Sequence, residues 1–433
     1  MAVVTRYPTR PLDCWGKLRE LRRKYAKQAW EVGEQGGLVV AAQLPAMPLV
    51  AGLGDFARRI YGAYFGKAMR EPEVLRQFHE AADARGFPRG DMCSSMHHQI
   101  GQLLLGLTQK DPFSGVSRPV DFVFETNFCH SAAKTAQIAG EVMGVPYFVV
   151  DVPQIEGGAA RRYVAGQLMD SIGWLEEVSG RTFDDGRFVE AMAHWWQRGV
   201  MYARVGESLK AIPAPIDYWQ VRALRVPAQV GGHTAEVAEF YEVALAEVED
   251  RVREGISAFG VETCRLSHEG EEMFYADKFM GEMVQRYGAV FVVGDTGFNT
   301  GLWRISEDGS WKSAPTLKEM GLTLRSREDA IDLLARTFVD YGPIFHCQRL
   351  EEKPREVVKR SQEWHSQGAI IHMDIGCRGM SAGMLEVKQA LEREGIPTVT
   401  YESSNSDPRD FTPAQVTDRL ESFLERLGLT RLT

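Results

Sequence analysis

The sequence predicts an α/β protein of two parallel-sheet βαβ lobes, with an intervening helical segment and an N-terminal helical arm. Three observations carry this. "VDFVFETN" (120–127) and "YFVVDV" (147–152) are β-rich runs joined by a small-residue, helix-like stretch. Two strands joined by a helix within about 30 residues form a parallel crossover. "IIHMDIGCRGMSAGMLEVKQALEREGIPTVTYE" (370–402) repeats the same order of events. Between the two units, residues 160–258 are mostly helical in pattern, broken at "AIPAPIDYW" and "VGGH".

The elements follow in order. Residues 14–35 form a basic amphipathic helix with a solvated Arg and Lys face. Pro45 to Gly54 is rich in Pro, Gly and Ala and suits a connection. A helix over about 67–85 stops at "ARGFPRG", and "DMCSSMHHQIGQLLLG" sets Cys93 ahead of the next one, with Ser94 or Ser95 available as its N-cap. After the helical segment come a strand near 262–267, a helix near 271–287, the strand "AVFVVG" (289–294), helices near 326–340 and 352–366, and the strand "AIIHMDI". In the last helix, Thr412 is placed to cap, Pro413 takes the first position and Gln415 is placed to close a capping box. The expected organisation is an arm over 1–60, a first lobe over 61–160, a helical segment over 161–260 and a second lobe over 261–433.

At 433 residues the chain is long enough for two or three domains. With 44% hydrophobic and 25% charged residues it has an ordinary globular composition. A net charge of −9 and a pI near 5.7 argue against phosphate-driven nucleic-acid binding. The N-terminus lacks the apolar core of a signal peptide, and no run approaches the roughly 20 apolar residues of a membrane span. The expected setting is therefore the cytoplasm, with no membrane partner. The six cysteines are scattered, without CxxC, so a reducing compartment leaves them free or metal-bound.

Chemistry concentrates on three of them. Cys129 and Cys377 each stand where a β-rich run ends and a helix begins, and Gly-Val-Pro or Gly-Ile-Pro then leads into the next strand. The copies differ in spacing: 17 positions separate Cys129 from Pro146 and 20 separate Cys377 from Pro397. Residues in strand-to-helix turns face the crevice where open parallel sheets gather ligands. Cys93 also precedes a helix, so all three thiols are expected at helix N-termini, where the dipole lowers a thiol pKa. Three such thiolates suit an anionic iron–sulfur cluster. Two other readings stand beside it: each cysteine as a small buried hydrophobe, or the trio with a histidine as a zinc site. Cys14 and Cys264 lack the strand-then-helix context, and "FHCQ" leaves Cys347 as a reserve ligand. His97 and His98 point about 100° apart on a helix, so at most one faces Cys93. His130 and Arg378 follow two of the candidate ligands directly and can approach a substrate. "GDTGFNTGLW" (294–303) is a Gly-rich turn matching neither GxGxxG nor a P-loop, and neither GxSxG nor HExxH is present.

The contexts "DMCSSM", "CHSAAK…GVPYFVVDVP" and "GCRGMSAGMLEVKQALEREGIPTVTYESSNSDPRDF…TDRLESFLERL" resemble the benzoyl-CoA reductase and 2-hydroxyacyl-CoA dehydratase family, from about residue 85 to the end. "YPTRPLDCWGKLRELRRKY" and the "SAG…DPRDF…RLESF" spacing are most similar to the larger, O-type or B-type, subunit of ATP-dependent benzoyl-CoA reductases. The resemblance implies two α/β lobes holding a 4Fe-4S cluster through three cysteines, here Cys93, Cys129 and Cys377, with one iron left to substrate or a non-cysteine ligand. It further implies a related cluster-bearing second subunit, an ATP-hydrolysing iron–sulfur activator, a low-potential donor such as ferredoxin, and an acyl-CoA substrate. The implied activity is reduction of an aromatic acyl-CoA. The alternatives are a 2-hydroxyacyl-CoA dehydratase subunit or a non-catalytic electron-transfer subunit of the same complex. His98, His130 and Arg378 are the candidate catalytic side chains. His130 and Arg378 depart from the neighbours seen in some relatives, which leaves the acyl group open.

Overall fold

A computed structural model describes residues 5–42, 44–59, 70–87, 89–90, 92–108, 119–155, 157–295, 300–341 and 350–432. Strand β1 (Leu38–Ala42), β2 (Phe56–Arg59), β3 (Phe122–Thr126) and β4 (Tyr147–Val150) form one parallel sheet in the order β2-β1-β3-β4. Strands β5 (Cys264–Glu269) and β6 (Ala289–Gly294) are followed by a small antiparallel hairpin of β7 (Trp303–Ile305) and β8 (Trp311–Ser313). With β9 (Gly368–Asp374) and β10 (Thr398–Ser403), β5 and β6 make a second parallel sheet, ordered β10-β9-β5-β6.

The two sheets share one topology. Counted within its own lobe, each runs second-first-third-fourth, read from one edge in the first sheet, and the second sheet reads fourth-third-first-second from the opposite edge, so each has a switch point between its first and third strands. Cys129 follows the third strand of one sheet and Cys377 the third strand of the other. The doubled unit read from sequence is thus a topological equivalence as well as a similarity of residues.

The α/β architecture agrees with the expectation, and the segment expected as a helical arm holds the main surprise. It does begin with a helix, Trp15–Glu31, which buries Leu18 and Leu21 and pairs Lys17 and Lys24 with Glu236. Yet residues 38–59 supply two strands of the first sheet, and Pro48, Leu49 and Val50 are buried in a short helix within the stretch expected to be a connection. The run "LVVAA" is apolar on both faces because both faces are covered, so it shows no alternation to mark it as a strand.

One continuous core joins Val40, Phe122 and Phe124 of the first sheet, Trp195, Trp196 and Tyr202 of the helix Asp185–Glu207, and Leu266 and Val292 of the second sheet. The helical segment is therefore the wedge that both lobes pack on. The outer faces close separately: Val39 and Val123 pack with Ala136 and Ala139, and Ala369 and Ile371 pack with Met384, Val387 and Leu391. Small residues on the helix His130–Met143 let it lie close to its sheet. It ends at Gly144, whose φ of +67° gives the left-handed cap. The C-terminal helix Pro413–Arg426 starts as expected at Thr412 and Pro413, but the Thr412 side chain makes no capping hydrogen bond, so the expected capping box does not form.

A three-thiol cavity as the candidate functional site

The structure brings Cys93, Cys129 and Cys377 onto the wall of one cavity of about 1010 Å³, at the carboxyl ends of strands from both sheets. Each cysteine is the N-cap of the helix or helical turn that follows it. For Cys93 this corrects the expectation that Ser94 or Ser95 would cap. Its own Sγ accepts the Met96 N–H at 3.4 Å, while Ser94 is turned toward the other lobe.

That turn ties the three loops together. The Ser94 N–H donates to the Gly376 carbonyl at 2.9 Å, joining the Cys93 helix to the Cys377 turn. The Ser94 hydroxyl donates to Asn405 Oδ1 at 2.5 Å and accepts the Ser406 N–H at 3.2 Å. The Cys93 N–H donates to Ser131 Oγ at 3.3 Å, which brings in the helix after Cys129. Behind Cys377, one buried oxygen of Asp374 accepts from the Gly376 N–H at 2.7 Å and the Asn405 N–H at 3.2 Å. Burial pushes this carboxyl up to about 7. Salt bridges from Arg89 to Asp407 (3.1 Å) and from Arg409 to Asp83 (3.1 Å) hold the same two segments from outside.

The thiols do not behave as the helix-dipole argument expects. Burial pushes Cys93 well above the usual thiol range, with the nearby Cys129 adding to the effect, and burial also raises Cys129 against two backbone N–H groups that lower it. Removing a thiolate from water costs more than one helix N-terminus returns. In the bare protein these sulfurs therefore keep their protons, and a cation is what would draw them off.

His98 lies off the cavity. It is 0% exposed, its Nδ1 stands 3.2 Å from the Ser94 carbonyl, its ring meets His79 edge-on, and burial lowers it to about 3. His97 faces away as well, 2.7 Å from His79 and 2.7 Å from the Phe87 carbonyl. His130 and Arg378 do line the cavity, as exposed side chains, together with Lys134. Cys14 and Cys264 are buried at 4% exposure in the core, and Cys347 lies outside the described residues, as do 296–299 of the Gly-rich turn.

Sequence reasoning missed Glu271, Asn405 and Ser131. Glu271 lines the cavity just past β5, the first strand of its lobe; looking for polar side chains at every strand end, and not only at cysteines, would have found it. Met92, Met96, Phe128, Phe274 and Met380 make much of the remaining wall apolar. Among the described residues no three His, Cys, Asp or Glu side chains close around one ion. The tetrahedral zinc arrangement weighed from the sequence is thus not formed among them. A cuboidal cluster asks for something different, since it holds its thiolates apart across a body several ångströms wide.

Two lobes of like topology, meeting where both sheets present their carboxyl ends to a thiol-lined crevice, define a two-lobed α/β protein. The chain belongs to the family described as 2-hydroxyglutaryl-CoA dehydratase, D-component, whose model matches residues 75–427. It is 28% identical over 360 residues to the B subunit of benzoyl-CoA reductase from Thauera aromatica, covering 79% of this chain and 78% of that one. It is 24% identical over 353 residues to the (R)-phenyllactyl-CoA dehydratase alpha subunit of Clostridium sporogenes, covering 80% and 79%, and 23% identical over 369 residues to the alpha subunit of lactoyl-CoA dehydratase from Anaerotignum propionicum, covering 80% and 81%. The resemblance drawn from the three cysteine contexts therefore identifies the family, one of acyl-CoA dehydratase and reductase subunits. No helix among the described residues is long and apolar enough to cross a membrane.

Proposed function

We propose that this chain is the iron–sulfur subunit of an aromatic acyl-CoA reductase of the benzoyl-CoA type. The observation that carries the reading is the meeting of Cys93, Cys129 and Cys377, from three distant parts of the chain, on one cavity wall. The donor set fits a 4Fe-4S cluster: three separately held thiols, of which Cys93 and Cys129 are raised by burial, in a chamber large enough for a cluster and an acyl group. When bound, such a cluster supplies one-electron transfer at a potential set by burial and hydrogen bonding.

The chain's own residues do the rest. The Met96, Phe128 and Phe274 surfaces offer an apolar bed for an aromatic ring and keep water from it. The Cys93 and Ser94 backbone bonds fix the thiols relative to one another. Arg378 and Lys134 put positive charge at the cavity wall, with the His130 side chain beside them, where an acyl-CoA's anionic portion approaches. No P-loop occurs in the sequence, so the nucleotide chemistry that drives electrons to low potential belongs to a separate activator. The proposal includes a related second subunit, a ferredoxin-like donor and a cytoplasmic setting.

Anaerobic assay of iron and acid-labile sulfide tests the reading first, with the two expected in equal amounts and lost together in Cys377→Ser. A chain that takes up neither is a small-molecule binder with incidental cysteines. The complex is then assayed with benzoyl-CoA and with a 2-hydroxyacyl-CoA, each with activator and reductant. The relatives named as dehydratases favour the second substrate as the alternative. Dehydration without ring reduction rejects the reductase.

A further inference from the structure

Among the described residues, four amide side chains line the cavity, and they differ in what their NH2 groups do. Asn127 gives its NH2 to Asp151, Gln137 gives its own to Glu141 at 2.8 Å, and Gln154 is an exposed side chain. Asn405, just past β10, is only 2% exposed. Its N–H donates to Asp374 Oδ1 at 3.2 Å, its carbonyl accepts the Phe274 N–H at 2.9 Å, and its Oδ1 accepts the Ser94 hydroxyl at 2.5 Å. Ser94 Oγ already accepts the Ser406 N–H, and no other acceptor for its hydroxyl is found among the described residues. The amide is therefore assigned with Oδ1 toward Ser94 and its NH2 turned the other way.

That NH2 has no hydrogen-bond partner among the described residues, and it is not sealed inside the protein, so the cavity is what it meets. A buried residue whose every other polar group is bonded thus keeps one donor for whatever enters. The donor is also held still. Beside it, the Tyr275 hydroxyl lies 3.0 Å from Ser403 Oγ, and Ser404 Oγ donates to Asp410 at 2.5 Å. Phe274, bonded to Asn405 through the backbone, belongs to the same wall, and the Arg222 guanidinium stands 5.2 Å from its ring centre. An apolar ring face and a neutral N–H donor are therefore fixed relative to one another. An acyl thioester has the matching parts, since its carbonyl oxygen accepts hydrogen bonds and donates none.

We propose that Asn405 Nδ2 donates a hydrogen bond to the thioester carbonyl oxygen of the bound acyl-CoA. The inference rests on the acyl-CoA reading above, but not on the choice between an aromatic and a 2-hydroxyacyl group, because both carry that carbonyl. The bond orients the thioester on the wall. In a largely apolar chamber it also strengthens as negative charge collects on the oxygen.

The test measures binding to the full chain, loaded anaerobically with iron and sulfide and kept without activator or reductant. The probes are benzoyl-CoA and S-benzyl-CoA, a thioether with CH2 in place of the carbonyl. Asn405→Asp keeps an oxygen for Ser94 and replaces the donor with an acceptor; its added charge acts on both probes alike, so their ratio isolates the carbonyl. N405D is expected to weaken benzoyl-CoA relative to the thioether by about 5- to 100-fold. The infrared band of bound, carbonyl-13C-labelled benzoyl-CoA is expected at higher frequency in N405D than in wild type. An unchanged ratio and an unchanged band overturn the inference while leaving the acyl-CoA reading intact. A wild type that binds neither probe ends that reading and this inference with it. If N405D does not fold, Ser94→Ala decides, since it frees the amide to turn: a reduced preference for the thioester supports the proposal, and a full preference counts against it.

Discussion

Gly376→Ala is the sharpest perturbation of the contact between the lobes. A Cβ at this position would lie 2.5 Å from Ser94 Oγ, 2.9 Å from Ser94 Cβ and 3.0 Å from Ser404 Oγ. Gly376 is not among the positive-φ glycines, so the cost is steric and not conformational. Ser94 has no room to yield, because its hydroxyl is engaged by Asn405 and Ser406, and its N–H by Gly376 itself. Overpacking a tight contact costs about 1–3 kcal/mol, and leaving a buried N–H such as that of Ser406 unpaired costs about 1–3 kcal/mol. These effects share atoms and do not simply add, so a loss of about 2–4 kcal/mol is expected, together with reduced cluster retention as the Cys93 and Cys377 turns separate. The assay is denaturant unfolding of the purified chain, followed by iron content after anaerobic loading. Gly166→Ala is the control: it lies within the helix Gly158–Ser179 with nothing within 4 Å, and a gain of about 0.5–1 kcal/mol is expected there. G376A with wild-type stability and wild-type iron would refute the argument that this hydrogen-bonded contact holds the site together.

Other outcomes follow from the same geometry. Cys93→Ser and Cys129→Ser are each expected to lower iron content as far as Cys377→Ser does, whereas Cys264→Ala, in the core, leaves it unchanged; the readout is iron per chain. Ser94→Ala strands the Ser406 N–H and the Asn405 amide oxygen, and a loss of about 1–3 kcal/mol is expected in denaturant unfolding. Asp217 caps the helix Tyr218–Leu224, and burial raises its carboxyl from an ordinary 3.8 to about 7. The folded chain therefore binds a proton that the unfolded chain releases between about pH 4 and 7, and stability falls as pH rises through that window, by up to about 1.4 kcal/mol per pH unit. Asp217→Asn, which keeps a cap acceptor, flattens that part of the profile; a profile unchanged in D217N would count against the assignment. Glu319 runs the other way. Its hydrogen bonds with Arg204 and Thr316 hold it down to about 2, so its contribution is present at neutral pH and disappears as pH falls below the ordinary carboxylate range. Glu319→Gln should reduce the acid sensitivity of unfolding.

Local pattern was enough to reveal the α/β alternation, the doubled unit and the cysteines at its strand ends, because a β-run that stops at a cysteine before a small-residue helix is written in consecutive residues. It also revealed the family, since those contexts are contiguous words. It misjudged what depends on surroundings. Burial on both faces erased the alternation that would have marked β1, and burial outweighed the helix dipoles at Cys93 and Cys129. His98, equal to His97 on the page, turned out to pack behind its helix and away from the cavity.

What the sequence determined by itself is which residues end which strands, for that is fixed by the order of amino acids along one chain. What only the tertiary structure decided is that residues 93, 129, 271 and 377 share a wall. That meeting depends on two sheets of the same strand order packing on one helical wedge, and on a glycine at 376 small enough to let Ser94 reach across. Distances between segments hundreds of residues apart are set by such packing, and no local pattern encodes them.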